Sequence, residues 1–284
     1  MRNFLCFAFG LLSLLSQAQT LEKALLWKIS GNDLSQSSYL FGTIHATCDA
    51  TLDEATLKAL DETKQLFLEI DMDDPELQKQ MMMNMTMKDG ASLSNLISKE
   101  DFSIVDDFLQ KNMGMSAKMI DNFKPFMISS MLLPKLLDCP IKSFEMELMK
   151  VAKEQEEEIY GLETISDQLD VFDQIPYHEQ AEELVKNAKD GMKKDKLEME
   201  KVMKVYMDKD IEKMLDLMAK SENKISSNYN DVLLINRNRK WISVIEQNSK
   251  EIPTFYGVGA AHLAGENGVI NLLRKLGYTV EAVK

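Results

Sequence analysis

The sequence predicts an α/β fold in which two related βαβ-like halves form a central sheet region, with a large and mostly helical insertion. Three observations lead there. The apolar runs Ser38 to His45 and Ile252 to Gly259 each feed a Gly-x-x-His motif, Gly42 with His45 and Gly259 with His262. Each motif is followed by a loop, a helix-spaced segment and another short apolar run, Leu52–Lys64 then Leu66–Ile70 in the first case and Val269–Leu276 then Tyr278–Val283 in the second. Between them, residues about 75–137 and 177–247 carry apolar residues at helical spacing and few strand signals.

The elements follow in order. Ala24 to Ile29 is strand-like, and Ser30-Gly31-Asn32-Asp33 is turn chemistry. Ser38 to His45 is a second strand running into a loop. Leu52, Ala55, Thr56, Ala59 and Leu60 lie on one helical face, and Gln65 to Asp71 is a buried strand ending in acids. From Pro75 to Leu137 the chain is rich in Met, which suits either an adaptable helical core or a Met-lined substrate groove. Ile141 to Gly161 has a strand, helix, strand pattern, with Glu163-Thr164 at the end of the second strand. Tyr177 to Lys220 is predicted to form two or more long amphipathic helices, and Val232 to Gln247 continues the pattern with Arg237, Asn238 and Trp241. Gly277 stops the last helix before a final strand over 278–283.

The N-terminus has one positive charge at Arg2, a short apolar run from Phe4 to Leu15 and the small-x-small ending Ser16-Gln17-Ala18. That is the layout of a signal peptide over residues 1–18, leaving 19–284 as a single domain exported to the periplasm or beyond. No later segment is long and apolar enough to span a bilayer. A net charge of −13 repels phosphate backbones and argues against nucleic acid as a partner. Loss of the leader also removes Cys6, leaving Cys48 and Cys139, which in an exported chain can form a disulfide or remain two buried thiols.

Two of only three histidines occupy the equivalent loops, while His178 sits at a helix start and suits a surface position. Ligands in α/β sheets bind beyond the carboxyl ends of strands, where His45, His262, Glu69 and Glu163 all fall. Glycine three residues ahead of each histidine is expected to let the backbone turn tightly. Glu69 and Asp71 alternate on one strand face, Asp71 also suiting a helix cap, and a buried strand-end acid needs a partner. Arg237 offers a planar fork for a carboxylate or an oxyanion, so a structural Glu163–Arg237 ion pair is an alternative to a catalytic role. Two imidazoles with carboxylates suit a divalent transition metal, with His45, His262 and Glu69 as ligands. Without metal, the same groups can act as general base and acid. Asn238 and Tyr256 are the expected substrate contacts. The motifs His-Glu-x-x-His, Gly-x-Ser-x-Gly and a Walker loop are absent from the sequence.

Taken in order, Leu40-Phe41-Gly42-Thr43-Ile44-His45, Phe67-Leu68-Glu69-Ile70-Asp71, Gly161-Leu162-Glu163-Thr164, Arg237-Asn238-Arg239-Lys240-Trp241 and Gly257 to Gly265 resemble the motifs of the TraB/GumN/PrgY family, and Gly277-Tyr278-Thr279-Val280 fits its ending. The resemblance covers nearly all of the chain after residue 18. It implies kinship with the Tiki proteins, described as metal-dependent peptidases, and with erythromycin-esterase-like and ChaN-like folds. It further implies a manganese- or cobalt-type site carried by His45, Glu69 and His262, with Glu163 and Arg237 beside it. Peptide or small-molecule substrates are the expected partners. A binding protein that sequesters a peptide or small ligand without turnover and a metal-free esterase-like hydrolase are the competing expectations.

Overall fold

A computed structural model describes residues 21–284, so the leader reading for residues 1–18 lies outside the described residues. Six strands form one mixed sheet: β1 (Leu26–Ser30), β2 (Ser38–Thr43), β3 (Gln65–Ile70), β4 (Glu158–Glu163), β5 (Phe255–Gly259) and β6 (Thr279–Ala282), in the order β4-β3-β5-β2-β1-β6. β1 runs antiparallel to both of its neighbours, and β4, β3, β5 and β2 are mutually parallel. Helix α1 (Glu54–Asp61) carries the chain from β2 to β3 across β5. From β5 the chain returns to β6 in the other direction, across β2 and β1, so the two βαβ units interlock at the middle of the sheet.

The central strands are apolar on both faces, as strands covered on both sides must be. All six positions of β2 are buried. Helix α6 (Phe144–Glu154) covers one face, where Phe144 packs on Phe41 and Phe41 packs on Phe255. Tyr256, next along β5, points the opposite way to helix α12 (Asn236–Glu251), which in turn packs on α13 (Val269–Lys275). The helix ends follow local chemistry. Asp53 caps α1 through the Thr56 N–H, and the Thr164–Asp167 capping box starts α7 (Ile165–Asp173) immediately after β4.

The segment after β3 forms α2 (Leu77–Asn84), α3 (Leu93–Leu96), α4 (Lys99–Met113) and α5 (Pro125–Met131). The segment after α7 forms α8 (Tyr177–Asp190), α9 (Lys193–Met207), α10 (Ile211–Ala219) and α11 (Lys224–Asn228). Leu93, Val105, Leu109, Ile128 and Leu184 build a second apolar core, separate from that of the sheet. The expected strand at Ile141 does not form. Thr47 and Lys142 make only an isolated bridge, because Cys139 is tied there to Cys48 (Cα–Cα 5.7 Å) and the chain turns directly into α6. Among the described residues, no helix is long and apolar enough to cross a membrane.

Candidate functional site

The carboxyl ends of four adjacent strands deliver the site in order across the sheet. Glu163 comes from β4, Glu69 from β3, His262 from the turn after β5, and His45 from the loop after β2. The two histidines converge. A Cβ placed on Gly259 would lie 3.6 Å from His262 Cδ2 and 4.0 Å from His45 Nε2, so those ring atoms are separated by at most the sum of the two distances. The same point is 3.2 Å from Glu69 Oε1, and the Gly259 N–H donates to that oxygen at 2.8 Å.

The motif glycines are needed for space rather than for a turn, since neither adopts positive φ. At Gly259 a methyl group would intrude among the two imidazoles and Glu69. At Gly42 it would strike the Ala260 backbone at 3.1 Å and Leu263 Cδ1 at 2.9 Å, forcing the second motif away from β2.

His262 is held as a neutral tautomer by partners with no freedom of their own. Asn238 Nδ2 donates to the carbonyls of His262 and Asn267, which leaves its Oδ1 to accept from His262 Nδ1–H at 2.6 Å. The Nε2 lone pair then accepts from Arg237 Nη1 at 3.1 Å. Trp241 stacks on the ring with centroids 4.4 Å apart. Burial pushes the His262 pKa down to about 3.

His45 is anchored by a residue that sequence reasoning missed. Its Nδ1–H donates to Glu145 Oε1 at 2.8 Å, and Thr43 Oγ1 donates to the same oxygen at 2.7 Å while Ser143 donates to the other. Burial pushes the Glu145 carboxyl up, but these donors and the His45 charge outweigh it and bring it to about 2. The enclosing cleft walls desolvate His45 and pull it down, yet the Glu145 hydrogen bond and the Glu69 and Glu145 charges raise it to about 9. Its side chain is 63% exposed in the cleft, against 5% for His262.

Arg237 ties the acids together. Its Nη2 donates to Glu69 at 2.6 Å and to Glu163, its Nε donates to Glu163 at 3.0 Å, and Nη1 also reaches the Leu233 carbonyl. Leu233 belongs to a π-helical turn (Asp231–Ile235) that leads into α12 and sets where Arg237 emerges. Trp241 Nε1–H adds a bond to Glu163 at 3.2 Å, and Gln168 donates to Glu69 at 3.1 Å. Burial would raise Glu69, but Arg237 holds it well below the usual carboxylate range. Glu163 moves up, through burial and despite Arg237, with the neighbouring Glu69 charge adding to the rise. Glu163 is thus bound up in the ion pair weighed as its alternative role.

The two expected substrate contacts are both buried. Tyr256 is fully buried under α12, its hydroxyl shared between Ser249 and the Ile245 carbonyl, because β5 turns that residue to the face away from α6. Asn238 is 2% exposed and spends its amide on His262 and Asn267. Asp71 lies beyond the strand, partly exposed and next to Asp73, and His178 is exposed on α8.

His45, His262 and Glu69 are the residues here that could hold a divalent metal. Each imidazole has its Nδ1 side fixed by an oxygen, the arrangement that presents Nε2 as a ligand. Glu69 supplies a carboxylate beside them, and Glu69 and Glu163 have one guanidinium to balance two negative charges. Among the described residues no three His, Cys, Asp or Glu side chains are already drawn to metal-binding spacing, and the Arg237 guanidinium stands against both Glu69 and His262.

Comparison with curated proteins and with solved structures finds no significant match. A sequence model of the TraB/PrgY/gumN family matches residues 25–282, which takes in every strand and every site residue named above. With that span covered, the chain belongs to the TraB/PrgY/gumN family.

Proposed function

We propose that this protein is a metal-dependent hydrolase acting outside the cytoplasm, with peptides as its substrate class. The observation that carries the reading is the convergence of two anchored imidazoles and Glu69 on the small space kept open at Gly259. His45 Nε2, His262 Nε2 and Glu69 Oε1 would hold the ion, of manganese or cobalt type. Such an ion supplies a hydroxide-like water at neutral pH and polarises a scissile carbonyl.

The chain's own groups do the remaining work. Asn238 and Glu145 keep the two Nε2 atoms turned to the cleft. Arg237 keeps Glu69 ionised. Its Nη1–H, once His262 Nε2 is engaged elsewhere, becomes a donor for a developing oxyanion. The wide exposure of His45 gives substrate an approach from the cleft side. The apolar leader over residues 4–15 and the Cys48–Cys139 bridge support export, since disulfides persist in oxidising compartments.

One observation favours a metal-free hydrolase as second reading. Arg237 already fills the His262 lone pair, and His45, kept protonated by Glu145 and Glu69, is oriented as a general acid. Metal analysis of the mature chain, with a peptide and ester screen before and after exhaustive chelation, separates the two. About one ion per chain and loss of turnover on chelation are expected. Full activity without metal would sink the first reading, and a ligand recovered unchanged would favour sequestration over catalysis. The mature chain is expected to begin at Gln19, which N-terminal sequencing of exported protein checks.

A further inference from the structure

Resting on the hydrolase reading above, we infer that the substrate is an amphiphilic, cationic peptide, with apolar side chains in the cavity between α5, α9 and α10 and a basic side chain at Asp195 and Glu198. The cavity measures about 460 Å³, and His45 and Ala261 form part of its wall. His45 also lines a second cavity of about 400 Å³ that contains Glu69 and Glu145, so the larger space adjoins the candidate centre at His45. Phe126, Leu133, Met199, Val202 and Met214 give it an apolar lining. Its methionines come from α9 and α10 rather than from the Met-rich run at 81–87, and thioether side chains adapt to varied apolar partners.

The charge on the lining is one-sided. Asp195 and Glu198 lie one turn apart on α9, and among the described residues neither makes an ion pair. The nearby lysines are engaged, Lys186 with Glu183 and Lys194 with Glu222, each at 2.6 Å. Asp195, Glu198, Asn187 and Asn223 also form the wall of a third cavity, of about 340 Å³, which adds Glu183, Asp190 and Glu222. Lys186, Lys189 and Lys194 line it too, each of these lysines being paired with another acid. An apolar chain seated from His45 into the main cavity therefore meets uncompensated negative charge. A lysine or arginine, with an apolar stem and a cationic head, matches that sequence of surfaces.

The test is equilibrium binding to the full mature chain. Three fluorescein-labelled heptapeptides of leucine and phenylalanine would differ at one position: lysine, its neutral isostere norleucine, or glutamate. Their cleavage is followed separately by mass spectrometry. The lysine peptide is expected to bind about two- to fivefold tighter than the norleucine peptide, the range for partly exposed charge pairs. Asp195→Asn with Glu198→Gln should erase that difference, and Asp195→Lys with Glu198→Lys should turn the preference towards glutamate. Met214→Glu should weaken the norleucine peptide as well, with folding of each variant checked by circular dichroism. No discrimination between lysine and norleucine, or discrimination that survives the double neutral variant, would overturn the inference. Discriminated binding without cleavage would instead count against the hydrolase reading and leave the groove assignment standing.

Discussion

His45 and His262 leave matching strands by matching Gly-x-x-His motifs, yet one is 63% exposed and the other 5%. The buried one is fixed by an amide with no spare hydrogen-bonding capacity, an indole face and a guanidinium. The exposed one is fixed by a charged pair with Glu145, which α6 presents from outside both βαβ units. The same motif therefore does two jobs. The second half supplies a buried wall, and the first supplies the side open to the cleft. An internal echo in sequence predicts equivalent position, and the inserted helices decide whether equivalent position becomes equivalent environment.

The largest expected effect concerns the first loop alone. The disulfide closes a 91-residue separation and ties the His45 loop to the segment that leads to Glu145. Replacing both cysteines by serine should cost about 3–5 kcal/mol of unfolding free energy. The comparison further requires the loss of order to centre on residues 45–48 and 139–145, not on His262, which hydrogen exchange would resolve.

The next effect separates the histidines directly. His262→Ala leaves a buried cavity, with Asn238 Oδ1 and Arg237 Nη1 each one partner short, and should cost about 2–4 kcal/mol. His45→Ala, at an open position, should cost under about 1 kcal/mol while abolishing turnover. Equal destabilisation of the two variants in urea unfolding would break the contrast.

Smaller still is Glu145→Gln. It keeps the shape but removes the charge that fixes His45, and should weaken metal binding about 10- to 100-fold, as outer-shell partners do. Isothermal titration with manganese or cobalt would read it, and unchanged affinity would show that Glu145 only packs.

The smallest effect lies in the groove. Asp195 is raised to about 6 by burial and by the charges of Asp190 and Glu183 on α8 and of Glu198 on its own helix, with the nearest lysines already bonded to other acids. Its folded-state pKa lies above the ordinary value of 3.8, so its contribution is fully present below that value and is lost as pH rises through about 6. Asp195→Asn should therefore stabilise the chain at pH 7, by less than about 1 kcal/mol given its partial exposure, and leave it unchanged near pH 4. Matched thermal unfolding at the two values checks the sign.

Much of this arrangement is legible in the sequence because it is carried by spacing. The paired glycines and histidines, the acids ending Gln65–Ile70 and Glu158–Glu163, and Arg237 four residues before Trp241 all locate strand ends and one helix face. What was not legible has a common cause. Glu145 is one acid among many, and the bridge at Thr47 and Lys142 together with the Cys48–Cys139 bond brings its helix to His45. Tyr256 precedes the motif closely enough to suggest substrate contact, yet the two-residue alternation of β5 sends it under α12. The use of the glycines was likewise hidden, since it depends on what lies across from them, Ala260 for Gly42 and Glu69 for Gly259.

Because β5 lies between β2 and β3, the middle of the sheet is filled by residues 255–259, while its two neighbours come from residues 38–43 and 65–70. During synthesis, β2 and β3 are made long before the strand that joins them, and until it arrives they have no edge in common. Such long-range pairing is slow to form and leaves strand edges open in the meantime. The candidate site waits with it: a growing chain holds His45 and Glu69 early, but the Gly259 segment that sits between them in the sheet comes last of the three.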